Sequence, residues 1–149
     1  DVHLGAIESW AAQQGISLAR LGTAAAPDAE VVLVDRVGVL GDLYALADAA
    51  YVGGGFHAAG LHSVLEPAAF GAPVVFGPRF EASRDARFLE GAGGGAPARD
   101  AAELATILSD WLGDATARDR AGERAREVVS SGLGAAARSH ALVERLLFH

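Results

Sequence analysis

The sequence contains neither cysteine nor methionine. Without cysteine there can be no disulfide, no thiolate metal site and no cysteine nucleophile, which fits a reducing cytoplasm. No run of eighteen apolar residues occurs and no secretory signal pattern is visible, so nothing reads as a membrane-spanning helix. Positive charge is in short supply: 12 basic against 19 acidic side chains give a net charge of -7. A field of that sign argues against a nucleic-acid backbone as partner. It does not exclude a small phosphate ligand, because a local dipole binds an anion even on an acidic protein. Methionine is missing even at position 1, and the chain opens at Asp1 on a helical pattern. An α/β nucleotide-binding sheet ordinarily opens on a strand and a phosphate-facing turn. The sequence therefore predicts a piece of a longer protein, lacking at least one leading βα unit.

What is present is ordinary globular material. The 149 residues are 51% hydrophobic and 21% charged, enough for one compact domain with a usable core. Leu4, Ile7 and Ala11 share a helical face that Gly15 would end. Ile16–Leu21 reads as a short strand. Val31–Asp35 (VVLVD) reads as a parallel strand buried on both faces. Asp42 is placed to cap a helix over Leu43–Ala49, with Leu43, Leu46 and Ala47 inward. Tyr44 and Phe70 sit at core-like positions. Strands are expected at AAYVGG and at Pro73–Gly77, with helices at Ser63–Phe70 and from Ser83 to about Glu90. GGGAPAR reads as a weak strand or loop, and the low-complexity patch GAGGGAP (Gly91–Pro97) as a loop. Helices follow from Asp100 to Leu112, Ala115 to Ser130 and Ala135 to Leu147. Alternation of this kind predicts a Rossmann-like, three-layer α/β fold: a parallel sheet with helices on both faces.

The chemistry is concentrated between Gly53 and Arg79, in GGGFHAAGLHSVLEPAAFGAPVVFGPR. Ser63-Val64-Leu65-Glu66 has the spacing of a capping box, in which the serine oxygen takes a backbone N–H and the glutamate reaches back. The functional reading adds Gly53, Gly54, Gly55 and Gly60, which let a ligand approach the backbone. A phosphate at the following helix start gains about 1 kcal/mol from the dipole and about 1.5–3 kcal/mol per charge-assisted hydrogen bond. His62 can donate to such a phosphate. Glu66, one turn in, can accept from a ribose diol, the division of labour found in dinucleotide folds. His57 reads as a solvent-facing loop residue, and Arg84, Asp85 and Arg87 as surface charges. His3, His140 and His149 lack metal-ligand spacing, so no metal site is expected. Ser63 lacks a Gly-x-Ser-x-Gly elbow and is not read as a nucleophile.

The segment from Val31 to Pro78, about a third of the chain, resembles the donor-binding half of the 3-deoxy-D-manno-octulosonic acid (Kdo) transferase family, GT-B glycosyltransferases of lipopolysaccharide synthesis. The residues that carry the resemblance are VLVD, LYALADAAYVGG, GLHSVLEPA and PVVFGP. The resemblance implies the C-terminal half of a GT-B fold. It places Asp35 and Gly38 on the loop facing the base and Gly53 and Gly54 on the family's glycine pair. Gly60, His62, Leu65, Glu66 and Pro67, with Ser63 and Val64 between them, then fall on the element where the helix start holds phosphate and the glutamate holds ribose. Gly77, Pro78 and Arg79 match the Gly-Pro-His loop beside the donor. Departures are Ser63 for Asn, Leu61 for a second glycine, Arg36-Val37 for Thr-Met, Val39 for Glu and Arg79 for His. Arg79 adds a positive charge that can pair with a phosphate or a sugar carboxylate.

The implied function is binding of CMP-Kdo within a metal-independent, inverting enzyme that transfers Kdo to a lipid A precursor. The implied enzyme lies on the cytoplasmic face of the bacterial inner membrane. No cofactor beyond the donor substrate is expected. The family's general base belongs to an N-terminal acceptor domain, so residues 1–149 are expected to form a single donor-binding domain that carries no catalytic residue and does not turn over alone. A UDP- or GDP-sugar donor domain, or a non-catalytic α/β module that packs on a partner chain, are the alternatives.

Overall fold

The computed structural model describes residues 2–58, 60–133 and 143. The chain divides into two compact units, Asp1–Leu40 and Gly41–His149.

In the first unit, helix α1 (Val2–Gln14) is ended by Gly15 at φ +70°, the left-handed stop expected from the sequence. Strands β1 (Leu18–Arg20) and β2 (Val31–Leu33) pair in parallel, with Leu18 opposite Val31. A single 3-10 turn at Ala26–Asp28 lies between them. The expectation that Val31–Asp35 is buried on both faces fails. The strand covers three residues, and Val32 is 39% exposed, because too little packs over that face of the strand. Ile7, expected inward on α1, is exposed, whereas Ala11 is buried.

Helix α2 (Leu40–Tyr44) starts at the boundary between the units. It begins earlier than the sequence suggested, so Asp42 lies inside its first turn rather than capping it. A carboxylate there still meets the positive end of the helix dipole. Because α2 stops at Tyr44, Leu46 falls in the following turn and is 81% exposed rather than inward.

The second unit is built on three parallel strands in the order β3 (Ala50–Val52), β4 (Val74–Phe76), β5 (Gly95–Pro97). Ala50 lies opposite Val74, and Val74 opposite Gly95. The glycine-rich patch thus contributes a strand. Central β4 is buried at all three positions, as a continuous apolar run predicts. Helices α3 (Leu65–Ala69), α4 (Arg84–Ala92), α5 (Ala101–Gly113) and α6 (Ala115–Gly132) complete the unit. The core gathers Val52, Val64, Ala68, Val74, Phe76, Phe80, Ala86, Leu89 and Ala125, with α3, α4 and α5 all packed on α6. Ser83, Asp100 and Asp114 cap α4, α5 and α6, each accepting the N–H three residues on. Phe70, expected in the core, is exposed just past the end of α3. The helix expected over Ala135–Leu147 lies, apart from Val143, outside the described residues.

Candidate functional site

The carboxyl ends of neighbouring strands β3 and β4 deliver two loops to one edge of the second unit's sheet, where ligands bind in open α/β folds. The loop after β3 is folded back on itself. The Gly53 carbonyl accepts the His62 N–H at 3.2 Å, and the Gly54 carbonyl accepts the His57 N–H at 3.2 Å. The loop after β4 is fastened to it, with the Arg79 N–H donating to the Gly55 carbonyl at 3.0 Å.

Two of the glycines serve that contact. A Cβ on Gly55 would lie 2.6 Å from the Gly77 nitrogen, and one on Gly77 would lie 2.7 Å from the Phe56 nitrogen. The backbones therefore meet where no side chain fits. Gly53 and Gly60 differ: open space lies beside both, so a ligand can approach there. Leu61, which takes the place of a family glycine, packs against the core.

The loop enters α3 one residue later than the sequence suggested. The N-cap is Val64, in a helical conformation with no side-chain cap bond. Ser63 is therefore one position outside the helix and Glu66 is its second residue, so the reciprocal spacing of a capping box is lost. Val64, Pro67 and Ala68, spaced three and four apart, are buried and anchor the helix. His62, Ser63 and Glu66 fall on the opposite side and are exposed. Among the described residues the Glu66 carboxylate makes no hydrogen bond or ion pair, and no protein acceptor takes the N–H of Ser63 or Val64.

One neighbour of Glu66 was not legible in the sequence. Burial pushes the Tyr44 hydroxyl pKa up, and the negative charge of Glu66 pushes it further. The two residues stand twenty-two positions apart on different helices, so no local spacing could pair them.

The edge of the second unit therefore presents Gly53, Gly54, Gly60, His62, Ser63, Val64, Leu65 and Glu66 from one loop and Gly77, Pro78 and Arg79 from the next. Val64 and Gly77 are buried and act through their main chain, whereas His62, Ser63, Glu66, Pro78 and Arg79 are exposed. Asp35 and Gly38 belong to the first unit. There the Asp35 carboxylate is held by Arg20 at 3.1 Å, and Arg20 also binds Glu8 at 2.8 Å. Arg84 lies over the Phe88 ring, 5.0 Å from its centre. A groove of about 790 Å³ beside Leu65, Phe88, Val128 and Val129 shares only Leu65 with the candidate site. Among the described residues no group of three or more histidines and acids stands close enough to hold a metal ion. None of the described helices is long and apolar enough to cross a membrane.

No protein-family model matches the chain. Among solved structures it is similar to the C-terminal CMP-Kdo binding domain of WaaA from Acinetobacter baumannii. The TM-score is 0.72 at 25% identity, over 84% of this chain and 67% of that one. Parallel strands alternating with helices, with paired glycine loops at their carboxyl edge, make this the C-terminal half of a GT-B glycosyltransferase fold. Curated relatives narrow the class. The Kdo transferase of Aquifex aeolicus is 41% identical over 86 residues, 57% of this chain and 24% of its own length. That of Bordetella pertussis is 33% identical over 114 residues, 76% of this chain and 27% of its own length. The chain is a counterpart of the C-terminal domain of the Kdo transferase family. It spans about a quarter of the length of these two relatives.

Proposed function

We propose that this domain binds CMP-Kdo, as the donor side of a glycosyltransferase that passes Kdo to a lipid A precursor in lipopolysaccharide synthesis. The observation that carries the reading is the free Glu66 carboxylate in the first turn of α3, which follows a loop with open glycines and unclaimed N–H groups. A carboxylate bound to its own main chain would have served only the helix. Left free, it can accept both hydroxyls of a ribose. The Ser63 and Val64 N–H groups and the His62 imidazole can donate to the phosphate that leaves with the nucleotide. Their contribution is electrostatic: donors already in place meet charge as it develops on the leaving group.

The general base and the acceptor belong, in this proposal, to an acceptor-side domain of the whole protein. That protein works from the cytoplasmic face of the inner membrane, and the 149-residue chain binds donor without turning it over.

Calorimetric titration of CMP, UMP and GMP into the chain tests the reading. CMP is expected to saturate, and Glu66→Ala to weaken it by about tenfold or more, the loss of one charged hydrogen-bonding partner. Thermal stability should move by no more than about 1 kcal/mol, since Glu66 meets only the helix dipole. Saturation by UMP or GMP without CMP would replace the donor by a UDP- or GDP-sugar. No binding of any nucleotide would leave an α/β module that packs on a partner.

A further inference from the structure

The basic side chains of this protein are all arginines, and most of the described ones are engaged. Arg20 holds Glu8 and Asp35, Arg36 donates to the Leu21 carbonyl, Arg99 binds Glu103, Arg118 lies between Asp48 and Asp119, and Arg126 donates to the Phe70 carbonyl. Arg84 covers Phe88. The Arg79 guanidinium, in contrast, has no partner among the described residues, and Glu81 two positions on is exposed and does not pair with it. Among the described residues Arg87, Arg120 and Arg124 also lack an ion-pair partner, but they lie along α4 and α6. Arg79 alone of these stands in a loop at a strand's carboxyl end.

Its backbone is also held in place. The Arg79 N–H is bound to Gly55, Pro78 restricts the residue before it, and Gly77 is pressed against Gly55. An exposed arginine on a backbone fixed at both loops loses less freedom on binding an anion than one on a mobile loop. Its main chain is spent on Gly55, so only the planar fork of the side chain is offered outward. That fork matches a carboxylate with two parallel N–H donors.

We propose that Arg79 is the specificity-determining residue of the site: it receives the carboxylate of an acid sugar, rather than the nucleotide phosphate. The assignment rests on the donor reading above. With ribose on Glu66 and phosphate against Ser63 and Val64, the loop after β3 is occupied, and the sugar falls to the neighbouring loop after β4. A donor built from CMP and an octulosonic acid carries two separate anions, one phosphodiester and one carboxylate. On a protein of net charge -7, an unpaired cation aimed at the second anion decides whether an acid sugar is accepted or repelled.

The test is calorimetric titration of CMP and of freshly prepared CMP-Kdo into the chain and its Arg79→Ala and Arg79→Lys variants. The parent chain should bind CMP-Kdo more tightly than CMP. Arg79→Ala should hold its CMP affinity within about twofold and lose about tenfold or more for CMP-Kdo. Arg79→Lys should recover part of that loss, because it restores a point charge without the fork. The thermal midpoint of both variants should match the parent's. Equal weakening of both ligands by Arg79→Ala would put the residue on the phosphate and overturn the assignment. So would an undisturbed CMP-Kdo affinity, with the donor reading left standing. Failure of the parent chain to bind CMP at all would overturn the donor reading and this assignment with it.

Discussion

Among the described residues of Asp1–Leu40 the buried side chains are Ala11 and Ala19, whereas Gly41–His149 buries Phe76, Leu89, Val64, Val74 and Val75 to below 2% exposure. The polar links differ in the same sense. In the second unit, Ser83, Asp100 and Asp114 cap helices that are already packed on one another. In the first, Glu8–Arg20–Asp35 and Ser17–Glu30 join one element to another. Burial of large apolar groups is the main favourable term in folding, and exposed ion pairs add little. The unit that presents the free carboxylate and the two glycine loops is thus the one with a close-packed core under its loops.

The contrast can be broken or sharpened by mutation, and each unit carries its own reporter: Trp10 lies in the first and Trp111 in the second. The largest effect should come from Phe76→Ala, at 0% exposure in the centre of β4. Loss of the ring and the cavity it leaves should cost about 3–5 kcal/mol, read by Trp111 fluorescence in denaturant. Leu18→Ala in β1, read by Trp10, should cost less, about 2 kcal/mol or under, because Leu18 is only partly buried and keeps some of its surface in water. Equal costs would mean that the two units are held by the same means.

A smaller effect is expected from Asp100→Ala. Its carboxylate accepts the Glu103 N–H at 2.9 Å at the start of α5, and its removal should cost about 1 kcal/mol, again read by Trp111. A change above about 3 kcal/mol would show that this helix start, rather than the apolar core, governs the unit.

The reading of the sequence succeeded where the signal was local. Ser83 and Asp100 announce helix starts by residue type alone, and the apolar run at Pro73–Gly77 announces strand β4. VVLVD is as apolar, yet β2 is half exposed, since burial depends on what packs over a strand and not on the strand's own letters. The same limit applies at the site. The serine–glutamate spacing was visible, but the N-cap of α3 at Val64 instead of Ser63 goes with the burial of Val64, Pro67 and Ala68. That one-residue shift released Glu66 from its helix. The glycines were legible as a group, but their separation into a backbone contact (Gly55 with Gly77) and open positions (Gly53, Gly60) required two loops brought together by strand pairing. Tyr44 beside Glu66 is likewise a product of tertiary folding.

The smallest expected effect tests the polar half of the comparison by pH. Glu30 accepts the Ser17 N–H at 2.8 Å and the Ser17 hydroxyl at 3.1 Å, while Val31 donates to the Ser17 carbonyl, so this carboxylate joins the starts of β1 and β2. The Ser17 N–H, and after it the hydroxyl, hold the Glu30 carboxyl below its ordinary value of 4.5. A group whose pKa is depressed by folding favours the folded state above its unfolded value, and that support is lost as the pH falls through the folded value. Glu30→Gln keeps the shape but cannot titrate. With Trp111 replaced by Phe, Trp10 reports the first unit in both proteins. The thermal midpoint of the parent should exceed that of Glu30→Gln by a constant margin near neutrality, and the margin should shrink as the pH drops below 4.5. If the margin is the same at every pH, the carboxylate charge plays no part in joining the strands. The first unit would then rest on its sparse apolar contacts, and the difference between the two halves would be one of degree.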